Sequence, residues 1–88
     1  MLSFRISVTM GNELALMDII RVFGTNVRTY RNEISVSQEK FAEMCGLHRT
    51  YISDIERFQR SISFENILRI VDALEIPTYK LYIDTEGE

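Results

Sequence analysis

Between Gln38 and Arg57 the chain reads QEKFAEMCGLHRTYISDIER, a stretch that leaves few choices of local fold. Ser37 precedes it, with a hydroxyl able to cap a helix by accepting from the amide of Glu39 or Lys40. Phe41, Ala42 and Cys45 recur at helical spacing, and Gly46 follows where a helix can end in a left-handed turn at no steric cost. Leu47 turns inward as the chain reverses, and His48 can cap a second helix running to about Arg57, with Ile52 and Ile55 on its inner face. Two short helices joined by a tight turn are the expectation.

Counting Gln38 as the first of twenty positions, the small Ala42 falls at five, Gly46 at nine, Ile52 at fifteen and Ile55 at eighteen. A small residue at the crossing, glycine at the turn and β-branched residues inside the second helix are what a helix-turn-helix requires. In that motif the second helix enters the DNA major groove. Here it carries Arg49, Thr50, Tyr51 and Ser53 outward, the candidate base-reading residues. Arginine can fork onto guanine O6 and N7, threonine can touch a thymine methyl, and tyrosine and serine hydroxyls suit phosphates. The plainer reading of Arg49 is a surface charge. Its place beside Thr50 and Tyr51 favours DNA.

A net charge of −3 argues against nucleic acid until its distribution is followed. Residues 1–27 are neutral, residues 28–60 carry +1, and residues 61–88 carry −4. The acid therefore lies mainly beyond the motif. Within it, Arg49, Arg57 and Arg60 are expected on one face, with Glu39, Glu43 and Glu56 pointing elsewhere. Screening over about 8 Å makes arrangement matter more than the total.

The flanks read as scaffold. Leu2, Phe4, Ile6, Val8 and Met10 alternate with polar residues, which predicts either a short β-strand or a disordered leader ahead of an internal start at Met10 or Met17. Asn12 can cap a first helix with Leu16, Ile20, Phe23, Val27 and Tyr30 down one face; Arg28 and Arg31 lie off that stripe near its C-terminal end. Ile62 is a core plug, Ser63 caps a helix with the stripe Ile67, Ile70, Val71 and Leu74, and Pro77 opens a new segment. Residues 78–83 suit a strand or a short helix; proline at a first turn tips the reading to helix. Tyr79, Leu81, Tyr82 and Ile83 are either core or a dimer patch, and the patch is preferred. The division expected is an extension over 1–12, strand or disordered, a helix-turn-helix DNA-binding domain over 13–83 and a flexible, charged tail over 84–88.

With 88 residues the core is small, and dimerisation is a natural source of further stability. Hydrophobic content of 45% and charged content of 26% are ordinary for a soluble globular chain. No apolar run approaches a membrane span and no leader with a charged start and apolar middle is read, so cytoplasmic residence is the default. The one cysteine, Cys45, falls on a buried face and has no second cysteine to pair with; with His48 alone it makes neither a metal site nor a nucleophile pair. Neither cofactor nor metal is expected, nor an acid–base–nucleophile set. Asp54 is placed to orient Arg57 rather than to catalyse.

The pattern SQEKFAEMCGLHRTYISDIERFQRSISFENILRIVDALEIP resembles the Cro and lambda-repressor-like (XRE) helix-turn-helix proteins. Within them GLHRTYISDIER, followed by R-x-I-S and L-x-I-P, is most similar to the controller proteins of restriction-modification systems. The likeness covers roughly residues 20–82. It implies an all-α, five-helix lambda-repressor-like domain that binds a pseudo-palindromic operator as a homodimer. It also implies that Gln38 is a phosphate clamp, and that Arg57 and Arg60 contact the DNA backbone. Ser37 and His48, at the two helix starts, complete the phosphate candidates. Ser35 stands where that family usually has glycine between its first two helices. The partners expected are double-stranded DNA, a second copy and, through the acidic surface beyond the motif, RNA polymerase; no membrane is expected. Two alternatives remain: an antitoxin-type repressor that also holds a toxin, motivated by small size, and a protein-interaction adaptor, motivated by the −3 charge.

Overall fold

A computed structural model describes the backbone of residues 2–84 and the side chains of residues 16–84. It contains four α-helices, α1 Leu2–Glu33, α2 Gln38–Cys45, α3 Arg49–Glu56 and α4 Phe64–Leu74, followed by a 3-10 helix, Thr78–Tyr82. The fifth α-helix expected is thus a single 3-10 segment, entered from Pro77 in extended conformation. No strand occurs among the described residues.

The alternation of Leu2 to Met10 is taken up in α1, not in a strand. A strand satisfies its backbone only through a neighbour, whereas a helix closes its hydrogen bonds locally. At 100° per residue the alternation places Leu2, Ile6 and Met10 on one side of the helix and Phe4 and Val8 nearly opposite, so period two does not describe a single helix face and the strand reading does not hold for this stretch. Asn12 accordingly lies inside α1 rather than at its start. On the expected stripe Phe23 and Val27 are buried and Ile20 and Tyr30 half-buried, while Leu16 is exposed at 54%.

The core is built from Phe23 and Val27 of α1, Phe41, Ala42 and Cys45 of α2, Ile52 and Ile55 of α3, and Ile67, Ile70, Val71 and Leu74 of α4. Leu81 closes it from the 3-10 helix, and Ile62 packs against it from the loop. Each large side chain withdrawn from water in this way contributes about 1.5–3 kcal/mol. Gly24 permits the closest approach: a Cβ there would stand 2.3 Å from the Ile55 carbonyl oxygen and 2.8 Å from a ring carbon of Phe58. What weakens α1 as an isolated helix lets it seat against the end of α3.

Asn26 ties the C-terminal segment down. Its buried side-chain amide donates to the carbonyl of Leu81 at 2.8 Å and of Ile83 at 2.9 Å. Asp84, expected to begin a loose tail, accepts from Arg21 at 3.0 Å. The rest of that tail lies outside the described residues.

Candidate nucleic-acid interface

Three local devices hold α2 and α3 in place. The Ser37 hydroxyl accepts from the Lys40 amide at 3.0 Å, starting α2. Gly46 ends it at φ 70° and ψ 32°, and the Leu47 amide returns to the Ala42 carbonyl at 2.9 Å. His48 Nδ1 accepts from the Thr50 amide at 3.2 Å, starting α3. Ile52 and Ile55 then anchor α3 by burying its inner face.

Glu56 shares that inner face, away from Arg49, Arg57 and Arg60 as expected, but buried rather than on the surface. It is 3% exposed at its side chain, and Arg31 meets it with Nε to Oε2 at 2.7 Å and Nη2 to Oε1 at 3.0 Å. Gln38 Nε2 donates to the same Oε1 at 3.0 Å. Arg31 also donates to the Val36 carbonyl at 2.8 Å. One buried carboxylate therefore joins the end of α1, the link to α2, the start of α2 and the end of α3. Sequence reading missed this pair, although Ile52, Ile55 and Glu56 share one helical face and a buried carboxylate calls for a cation. The bond to Glu56 holds the Arg31 guanidinium above its ordinary pKa, against the opposing effect of its burial.

The outer face of α3 presents Arg49 and Thr50 to solvent. Among the described residues no carboxylate pairs with Arg49. Ser53 is half-buried, and Tyr51 packs partly against the core instead of pointing wholly outward. Above the Tyr51 ring lies the guanidinium of Arg60, 4.7 Å from the centroid. Arg57 and Arg60 do not stand free. Arg57 Nη2 reaches Asp54 Oδ1 at 2.9 Å, and Arg60 Nη2 reaches Oδ2 at 3.3 Å. These contacts, Arg57 first, hold the Asp54 carboxyl below its usual range.

The capping bonds leave donors available. Ser37 uses its oxygen as acceptor, so its O–H remains to donate. With Nδ1 accepting, neutral His48 carries its proton on Nε2. Gln38 has a second amide hydrogen beyond the one given to Glu56. Ser37, His48, Gln38, Arg49 and Thr50 thus lie along α2 and α3 with donors or a methyl to offer a duplex.

The expected dimer patch needs one correction. Leu81 is 0% exposed and belongs to the core, because Asn26 pulls its backbone onto α1. Tyr79, Tyr82 and Ile83 remain exposed. Tyr82 borders a hollow of about 180 Å³ that Leu16, Ile19 and Phe64 also line. Leu16 was expected on the apolar stripe of α1, while Ile19 and Phe64 were not singled out, and Phe64 is 87% exposed at the first position of α4.

Two short capped helices, crossed at a small residue and a left-handed glycine and followed by a packed α4, define a helix-turn-helix DNA-binding regulator. Residues 27–81 match the helix-turn-helix family model, and the chain belongs to that family; its relatives include controller proteins of restriction-modification systems and a hypothetical transcription factor of Neisseria meningitidis. Control protein C.SmaI of Serratia marcescens is 41% identical over 69 residues, 78% of this chain and 82% of that protein. Control protein C.BamHI of Bacillus amyloliquefaciens is 52% identical over 56 residues, 62% of this chain and 69% of that one. The crystal structure of the restriction-modification controller protein C.AhdI from Aeromonas hydrophila superposes with a TM-score of 0.69 at 38% identity, covering 72% of this chain and 96% of that chain. The family is one of DNA-binding regulators rather than enzymes. No helix among the described residues is long and apolar enough to cross a membrane.

Proposed function

We propose that this chain binds a pseudo-palindromic DNA operator as a homodimer and controls transcription of a restriction-modification system. The observation that carries the reading is a locked α3 presenting Arg49 and Thr50, exposed and without a carboxylate partner among the described residues. Arg49 reads guanine and Thr50 a thymine methyl, with Ser53 and the edge of Tyr51 beside them. Ser37, Gln38 and His48 grip phosphates from one side of the helix pair; Arg57 and Arg60 do so from the other. The control-protein relatives support the regulatory role. In the dimer Tyr79, Tyr82 and Ile83 meet a second copy, and the hollow beside Leu16, Ile19 and Phe64 extends that face. The two α3 helices then sit one DNA turn apart, about 34 Å. The acidic surface after Arg60 is left for contact with RNA polymerase.

Selection of bound duplexes from a random pool tests this reading. An enriched inverted repeat with half-sites one turn apart is expected. A pool that stays random overturns DNA reading, and enrichment of a single half-site overturns the homodimer.

A further inference from the structure

The outer face of α3 carries one carboxylate where a phosphate-facing surface would be expected to carry none. Thr50, Asp54 and Arg57 follow one another at helical spacing along that face, so Asp54 lies between a base-reading candidate and a phosphate-contacting one. Its two oxygens each hold a different arginine, Arg57 at 2.9 Å and Arg60 at 3.3 Å. The carboxylate is the sheltered member, 18% exposed at its side chain against 65% for Arg57 and 45% for Arg60. Arg60 is fixed a second time, by the Tyr51 ring 4.7 Å away. Three charged groups thus present +1 to a duplex instead of +2, with the cations outside and the anion beneath.

We propose that Asp54 is a specificity-determining residue of this DNA face, holding Arg57 and Arg60 on itself so that they engage phosphates only where the duplex lies close against α3. The inference rests on the DNA-binding reading above. Non-specific binding is nearly all phosphate attraction, and it scales with the number of cations free to replace counterions. On an arbitrary duplex, held loosely, the carboxylate keeps both arginines and repels the backbone. On the matching site, Arg49 and Thr50 bring α3 fully into the groove, and phosphates meet the outward-facing guanidinium edges while Asp54 keeps its own hold on both arginines. Discrimination widens because the penalty falls mainly on the wrong sequences.

The test is Asp54→Asn, which keeps the shape, removes the charge and leaves only one oxygen to accept. Affinity is measured by fluorescence anisotropy from 50 to 300 mM salt, on the duplex recovered by selection and on a scrambled duplex of the same composition. Expected are three- to tenfold tighter binding to the scrambled duplex, a log–log salt slope steeper by about one there, and little change on the selected duplex. Asp54→Glu, which restores the charge, is expected to recover most of the discrimination, which a loss of helix packing would not allow. Equal changes on both duplexes, an unchanged slope, or failure of Asp54→Glu to recover discrimination overturns the proposal. A wild type that binds no duplex overturns the DNA-binding reading and the proposal with it; failure of the proposal alone shows as a wild type that discriminates and a variant that does so equally well.

Discussion

Arg31 and Glu56 meet through two parallel hydrogen bonds, at 2.7 and 3.0 Å, across the contact between α1 and α3. Both side chains are largely withdrawn from water, at 11% and 3% exposure. Removing one partner strands the other's charge in the interior. Arg31→Met is therefore expected to lower unfolding free energy by about 3–5 kcal/mol, and Arg31→Met with Glu56→Met to recover most of that loss. Urea denaturation measures both. A double variant no better than the single would show that the carboxylate matters mainly through Gln38.

Ser35, Phe58 and Glu75 all hold left-handed backbone, at φ of 59°, 62° and 56°. An L side chain costs about 1–2 kcal/mol there, and glycine returns part of that gain as unfolded-state entropy. Ser35→Gly is expected to stabilise by about 0.5–1 kcal/mol. Glu75→Gly should do at least as well, since it also removes an acid from the C-terminal end of α4. Phe58→Gly should not, because the ring packs over Gly24. Thermal unfolding of the three variants separates backbone strain from packing.

Burial pushes the Cys45 thiol up to about 11. The unfolded thiol ionises near 9, so between pH 9 and 11 the folded chain keeps a proton that the unfolded chain releases. This contribution is complete below pH 9 and is lost as pH rises through 11. Unfolding free energy should fall more steeply over that window in the wild type than in Cys45→Ala. At pH 8 a thiol reagent should label the native chain far more slowly than the chain in urea.

Which parts were legible follows from how far each residue's partner lies along the chain. Ser37, His48, Ser63 and Gly46 act within three or four residues of themselves, and all four behave as their chemistry predicts. The α4 stripe was equally local. Glu56 depends on a cation 25 residues away and Leu81 on an amide 55 residues away, distances over which periodicity says nothing. The first ten residues failed differently. Their alternation is a strand pattern, yet a lone strand has nothing to pair with locally while a helix closes its own hydrogen bonds, and the backbone continues α1 there. At the candidate interface the Asp54–Arg57 pair was legible at helical spacing, whereas Arg60's share of Asp54 emerged only once side chains had positions.

Arg49 is the sharpest test of how this face reads sequence. It stands at the first position of α3, exposed, while Arg57 and Arg60 are held by Asp54. A free guanidinium there can fork onto guanine, whereas the tethered pair contributes mainly charge. Arg49→Ala is therefore expected to cost about 1–3 kcal/mol on the selected duplex and to relax preference at one base pair in each half-site. Arg57→Ala should leave the consensus unchanged, weaken the selected duplex with a salt slope flatter by about one, and affect the scrambled duplex less, because Asp54 holds that cation there. Repeating the duplex selection with each variant reads both effects. If Arg49→Ala returned an unchanged consensus with uniformly weaker binding, Arg49 would be a phosphate contact, and base reading would pass to Thr50 and Ser53.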